Sequence, residues 1–453
     1  MGKEGADAIG VTLRMLKAAS YQWPSLTLWL NGDFFRINRV DELSRLTLRG
    51  DMCLCSANPS IFQDFVMALD GEIYNLGGDY GIRELFTLLD EDLENLREPS
   101  KMKSIDGNYA FAIMHEEGAV LARDPIGIRP LYVASDGRGY AFATEQKTLL
   151  AANFQGIRSL KPGHVAFMDK GSLQEFEVYG LLEELRTLQP FTESSQEVAS
   201  ILLESLSCAV AKAIKGKDAG VLFSGGLDSS ILAKLSSDLG ARPRLLCVGL
   251  PMSKDVLRAK RVAEQLGLDL HVRELNEKEI EEVLPSIVHI VERPNPLDVS
   301  IATPLYFALK EAIEAGLNLT LVGQGADELF AGYKRYEKIL ERGGYESLKD
   351  ELLKDVSQLY EKNLERDYNL YLVSSVEPVY PYLDVAVIRC AFRIPVKEKL
   401  KTDARGYSRK YILRVVAKML GLPDEIVSMP KSAVQYGSGV WRVARRALKR
   451  ARD

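Results

Sequence analysis

The sequence predicts two domains in series. The first is an α+β domain built on antiparallel sheets. The second is an α/β domain with a parallel sheet and a helical C-terminal part. Three observations predict this. Over residues 1–180, short strand-like runs follow one another with turn residues between them. Beyond residue 190, strands alternate with helices of about 10–15 residues, which is how crossovers in a parallel sheet read. From Tyr345 onward the chain reads as mostly helical. The boundary is expected near residues 180–193, giving domains of residues 1–180 and 190–453.

A helix is expected almost at the start, because Ile9, Leu13 and Leu16 recur at helical spacing after Asp7. The strand-like runs then follow in order: LTLWL, FVMALDG, YAFAIMH, GAVLAR, PLYVA, YAFAT and HVAFM. Cys53 and Cys55 read as alternate positions of one strand, with no second pair to complete a zinc set. After Pro190, residues 194–214 read as a helix and AGVLF as a buried strand. LDSSILAKLSSDLG is a helix stopping on Gly240, LLCVG a strand, DVLRAKRVAEQLG a helix, and LDLHVREL and LTLVG strands.

At 453 residues the chain has ample length for two cores. A net charge of −5 argues against a general nucleic-acid or membrane-surface protein. No run approaches the apolar length of a membrane-spanning helix. Five scattered cysteines and no basic-then-apolar leader point to the cytoplasm with reduced thiols. His115, His164, His271 and His289 are isolated and read as structural. VWRVARRALKRAR carries six basic residues on an amphipathic pattern, read as a solvated helix with an RNA or protein contact as the alternative.

The strongest chemical signal is SGGLDSS, between a buried strand and a helix. Gly225 and Gly226 let backbone approach an anion closely. The helix start offers free N–H groups and the positive end of the dipole. Ser224, Ser229 and Ser230 add hydroxyls. This is a phosphate cradle of neither the Walker A nor the Gly-x-Gly-x-x-Gly type. Asp228 within it calls for a bridging cation, and Mg²⁺ shared with phosphate would serve. A serine-capped tight turn is the bland alternative.

SGGLDSS resembles the pyrophosphate loop of the ATP-pyrophosphatase superfamily. LVGQGADELFAGYKRY resembles the second signature of asparagine synthetases. CVGLP, VEPVYPYLD and SMPKSAVQYGSG resemble further motifs of that family, in family order. The resemblance implies that ATP is cleaved to AMP and pyrophosphate as a carboxylate is adenylated, and that ammonia then displaces AMP. It implies Mg²⁺ on Asp228 and Asp327. Ser224, Gly225, Gly226 and Ser229 would cradle the pyrophosphate. Leu222, Val248, Val322 and Gly323 would border the nucleotide. Lys431 would stabilise charge on the phosphates, and Asp384 would orient it. Two departures stand out. Gln324 replaces the family's Glu, and Val379 stands where the family has Arg.

LDGEIYN, IDGNYAFAIMH and VLARDPIGIRPLYVA resemble the glutaminase domain of the same enzymes, which implies a four-layer αββα stack of the N-terminal-nucleophile type. Its chemistry is expected to be degenerate. No Cys follows Met1, where the family's nucleophile stands. SYQWPS replaces the family's His-Arg-Gly-Pro-Asp. Asp70-Gly71 replaces the Asn-Gly of the oxyanion hole, and an ionised Asp70 would repel the oxyanion. Glu72 follows, and Asp79 matches the Asp that holds the glutamine amino group. A start upstream of Met1 is the alternative.

The expected function is an ATP-dependent ligase acting on small molecules, aspartate and ammonia, without membrane or nucleic acid. A homodimer is the assembly left open. Two alternatives stand beside it: the same adenylation on another carboxylate or amine, and a non-catalytic ATP-binding paralogue.

Overall fold

The computed structural model describes residues 14–19, 26–30, 33–37, 53–56, 60–62, 65–74, 100–115, 118–136, 139–169, 172–215, 218–403, 406–429 and 437–450. The chain divides into two compact units, residues 1–181 and 182–453.

The first unit holds twelve strands among the described residues. They are β1 (Leu26–Leu30), β2 (Asp33–Ile37), β3 (Cys53–Ser56), β4 (Ser60–Phe62), β5 (Phe65–Ile73), β6 (Gly107–His115), β7 (Gly118–Arg123), β8 (Tyr132–Asp136), β9 (Gly139–Ala143), β10 (Arg158–Ser159), β11 (His164–Asp169) and β12 (Leu173–Glu177). All pairings are antiparallel. One sheet runs β12-β11-β7-β6-β5-β4, a second β10-β8-β9 and a third β2-β1-β3.

Period-two alternation explains the layers. In β6, Ala110, Ala112 and Met114 face Leu131, just before β8, and Val133 of β8, so the six-stranded sheet and the β10-β8-β9 sheet share a core. Tyr109, Phe111 and Ile113 face the other way, with Met102 and Ile105 against them. The outer face of β8 and β9 is covered by Leu149 and Ala152, from and after the helix Gln146–Ala151, and by Met15. Helix, small sheet, large sheet and the turn Ser100–Ser104 thus follow one another as layers. The opening helix is described only over residues 14–18, and residues 75–99 lie outside the described part.

The second unit is built on a five-stranded parallel sheet of order β15-β14-β13-β16-β17. Its strands are β13 (Gly220–Leu222), β14 (Arg244–Gly249), β15 (Leu270–Glu274), β16 (Leu319–Leu321) and β17 (Glu377–Val379). The helices that matter below are α1 (Ser195–Ile214), α2 (Leu227–Asp238), α3 (Lys254–Leu266), α4 (Glu277–Val291), α5 (Pro296–Glu314), α6 (Ala326–Leu329), α7 (Arg335–Ser357), α8 (Glu365–Ser374), α9 (Val385–Arg393), α10 (Tyr411–Met419) and α11 (Val440–Arg450). The start of α1 is set by a capping box between Ser194 and Glu197. Gly267, at φ 63°, ends α3.

One apolar cluster joins Leu246 and Val248 of β14 to Ile280 and Leu284 of α4, Val299 and Ala302 of α5, Leu370 of α8, and Val440 and Val443 of α11. The basic face of α11 is partly neutralised by α4: Arg446 lies 2.6 Å from Glu277 and Arg450 3.7 Å from Glu281. No helix among the described residues is long and apolar enough to cross a membrane.

Two elements depart from the sequence reading. β17 lies in a stretch read as helical, and carries Pro378. Proline lacks the donor N–H, and it is tolerated because β17 is the sheet's edge. A hairpin of β18 (Leu400–Asp403) and β19 (Gly406–Arg409) also interrupts the helices.

Candidate nucleotide site

The sheet order sets where the site lies. The chain runs from β13 outward to β14 and β15, then returns to β16 on the other side of β13. In open α/β sheets, ligands bind beyond the carboxyl ends of the strands where the order reverses. SGGLDSS leaves β13 and GQGADEL leaves β16, so both motifs meet at that point.

Gly225 has φ 65°, and a Cβ there would sit 3.0 Å from the backbone of Arg258 and Ala259 in α3. The loop is therefore pressed onto α3. Arg258 holds it from that side, its Nε donating to the Ser224 carbonyl at 2.7 Å while its guanidinium pairs with buried Asp255. Gly226 is the N-cap of α2, and the Ser229 hydroxyl donates back to its carbonyl. The first N–H groups of α2 thus stay free for an anion. Ser230 is fully buried, and its hydroxyl has no hydrogen-bond partner among the described residues.

The second loop lies against the first. A Cβ on Gly323 would be 3.2 Å from the Asp228 Cβ. Val322 donates its N–H to Val379 of β17. Tyr382, fully buried, donates its hydroxyl to the Asp228 carbonyl at 3.1 Å. Leu222, Val248 and Val322 stand at or just beyond the ends of three adjacent strands.

The cation that Asp228 calls for comes from the chain itself. Lys410 Nζ lies 2.6 Å from Asp228 Oδ2 and 2.7 Å from Asp327 Oδ1. Lys410 is only 3% exposed. Burial pulls its pKa down, but the two carboxylates outweigh this and hold it above the ordinary lysine value. Gly332 makes room for the cluster, since a Cβ there would sit 1.9 Å from Asp327 Oδ1 and 2.3 Å from Lys410 Cε. Sequence reasoning missed Lys410 and Arg258. One signal for Lys410 exists: a lysine at the start of an amphipathic helix opposes the dipole and asks for acidic company.

The remaining expected residues are distributed as follows. Gln324 is half-buried in the turn after β16, and Val379 is buried in β17. Asp384 caps α9, accepting from the Ala386 N–H, and pairs with Lys212 of α1 at 2.6 Å. The carboxylate expected to orient Lys431 is thus engaged by another lysine. Lys431 lies outside the described residues, but both flanks of its segment are anchored. Arg414 donates to the Met429 carbonyl at 3.0 Å, and Ser438 accepts from the Leu250 N–H at 2.9 Å.

In the first unit, Asp70, Gly71 and Glu72 lie in β5. Gly71 has φ 112°, and a Cβ would overlap the Asn108 carbonyl at 1.9 Å. Asp70 pairs with Arg129 at 3.7 Å, so its charge has a partner of opposite sign. Asp79 lies outside the described residues.

The donor set fits a magnesium ion. Asp228 Oδ1 is buried without a hydrogen-bond partner among the described residues, and carboxylate oxygens are the hard ligands this ion prefers. No group of three metal-ligating side chains exists among the described residues, so phosphate oxygens and water would complete the shell.

Comparison with known proteins identifies the family. The family model described as asparagine synthase matches residues 202–347 and 340–453, and the one described as a glutamine amidotransferase domain matches residues 56–151. A Methanocaldococcus jannaschii protein, provisionally named a glutamine-hydrolysing asparagine synthetase, is 35% identical over 84% of this chain and 80% of its own length. Asparagine synthetase B of Escherichia coli, also named glutamine-hydrolysing, is 26% identical over 83% of this chain and 70% of its own. A Bacillus subtilis glutamine phosphoribosylpyrophosphate amidotransferase structure aligns at 15% identity, covering 59% of this chain and 63% of that one, with a TM-score of 0.29. The chain belongs to the asparagine synthase family of ATP-dependent carbon–nitrogen ligases.

Proposed function

We propose that the chain adenylates a carboxylate, aspartate, and amidates it with free ammonia, and that its first domain does not hydrolyse glutamine. The observation that carries the first part is the convergence of Asp228 and Asp327 beside the start of α2, at the point where the strand order reverses. On this reading residues 190–453 form the synthetase domain and residues 1–180 an amidotransferase-like domain.

The chemistry follows from the site. The substrate carboxylate oxygen bonds to the α-phosphorus, and the bridging P–O bond breaks with its electron pair leaving on pyrophosphate. Ammonia then bonds to the acyl carbon, the bond to AMP breaks, and a proton is lost from nitrogen. Ser224, Gly225, Gly226 and Ser229, with the N–H groups of α2, cradle the pyrophosphate. Leu222, Val248, Val322 and Gly323 border the nucleotide. Asp228 and Asp327 would hold Mg²⁺, which would supply neutralisation of phosphate charge. Lys431 stabilises the leaving group. Gln324 can donate and accept hydrogen bonds to the intermediate, but its amide cannot take up a proton. The cytoplasm, with its ATP and reduced thiols, suits this reaction.

Gln324 and Val379 favour one second reading, the same adenylation on a different carboxylate. Buried Val379 supplies no charge at the position where the family has Arg. Pyrophosphate release across a panel of carboxylates, with ammonia or glutamine as nitrogen source, tests both. Aspartate- and ammonia-dependent release supports the first reading. Release with another carboxylate alone replaces it with the second. Glutamate freed from glutamine overturns the view of the first domain.

A further inference from the structure

We propose that Lys410 keeps the carboxylate pair of the nucleotide site closed to free divalent cations, so that the metal enters only together with the nucleotide. The inference deepens the reading above, since it takes Asp228 and Asp327 as the carboxylates that meet the metal.

The ammonium sits where a free cation would bind. Its Nζ is 2.6 Å from one carboxylate and 2.7 Å from the other. The side chain is also held in place. Lys410 has φ 54° at the start of α10 and is almost fully buried. Its Cε lies so close to Gly332 that any side chain there would strike it. The preceding Arg409 donates to the Gly332 carbonyl at 3.1 Å and pairs with Glu337 of α7. The Gly332 turn thus walls the lysine side chain on one side.

Charge and ligand count then decide what can enter. Two carboxylates and one ammonium leave a net charge of −1, against −2 for the carboxylates alone, so the lysine weakens the pull on a bare divalent ion. A bare divalent ion would meet a fixed positive charge a few ångströms away and, on Asp228, one unpartnered oxygen, Oδ1. Magnesium keeps several of its waters and is usually held by one or two carboxylates together with substrate phosphates, so one carboxylate oxygen beside an ammonium holds the bare ion weakly. A metal carried by ATP brings its own phosphate oxygens and excess negative charge. The ammonium then attracts the complex, where it repels the bare ion. Lys410 is thus a positioning residue that couples metal binding to nucleotide binding.

The test uses Mn²⁺ as the probe, with the free ion followed by electron paramagnetic resonance, on the full-length wild type and on Lys410→Met. With the Mn²⁺ chelated by the same concentration of ATP in a protein-free control subtracted, wild type should bind Mn²⁺ at least tenfold more tightly with ATP present than without it. Mn²⁺ alone should leave its melting temperature unchanged. Lys410→Met should bind Mn²⁺ alone at least tenfold more tightly than wild type, and Mn²⁺ alone should raise its melting temperature. The proposal is overturned if wild type binds Mn²⁺ equally well with and without ATP, or in neither case. Equal binding of Mn²⁺ alone by wild type and Lys410→Met overturns it too. The wild-type comparison stands even if the variant does not fold. None of these readouts depends on which carboxylate is adenylated, so the failure of either idea is visible without the other.

Discussion

Asp70 and Arg129 form an ion pair in the first unit, Oδ1 to a guanidinium nitrogen at 3.7 Å, with Arg129 buried and Asp70 half-buried. In place of a neutral donor, the strand presents an acceptor already matched to a cation. Restoring the amide at this one position should therefore not restore glutamine hydrolysis. Wild type and Asp70→Asn are both expected to release no glutamate from glutamine. The variant should lose about 1 kcal/mol of stability, as for a partly exposed pair. A coupled glutamate assay and a urea melt check both.

Gly332 has no space for a side chain beside Asp327 and Lys410. Gly332→Ala should push the carboxylate off its position by about an ångström. A displacement of that size costs on the order of 10²-fold in rate. Substrate-dependent pyrophosphate release should fall by about that factor, while far-UV circular dichroism shows the helices retained.

Arg258 ties the phosphate loop to α3 through the Ser224 carbonyl. A hydrogen bond from a charged donor contributes about 1.5–3 kcal/mol. Arg258→Gln should raise the KM for ATP by about tenfold or more, with a smaller effect on kcat, because the loop loses its support but keeps its groups. Steady-state kinetics with varied ATP separates the two constants.

Lys399 is 1% exposed, 4.8 Å from the Phe392 ring centroid, and burial lowers its pKa from 10.5 to about 7. The folded state thus binds this proton less readily than the unfolded chain. The linked stability is complete above pH 10.5 and is lost as pH falls toward 7. Lys399→Met should melt several degrees higher than wild type at pH 7. The gap should narrow as pH rises toward 10. Thermal melts of both proteins over that range, read as a difference, measure it.

Much of the second unit is legible in the sequence because its signals are local. The run Leu245-Leu246-Cys247-Val248 is buried on both faces and reads as one apolar stretch. The Ser194 capping box and Gly267 mark helix ends by chemistry within a few residues. Strand β17 is not legible, because three residues containing a proline become a strand only through the neighbouring β16. Asp384 shows the same limit at the site. On its own it reads as a helix cap, and only the family resemblance makes it a partner for a lysine. The structure gives it both roles at once, but with Lys212, a residue on a different helix.

By itself the sequence determined which residues could cradle phosphate, since glycine, serine and a helix start act through their own backbone. It also determined the alternation of strand and helix that brings two such loops to one edge of a sheet. Only the tertiary structure decided how the charge of Asp228 is met. Its partner Lys410 stands 182 positions away in the chain. No periodicity or spacing links residues so far apart. They meet because α10 docks where the loops after β13 and β16 converge, and the carboxylates of Asp228 and Asp327 then hold the buried ammonium charged against the cost of its burial.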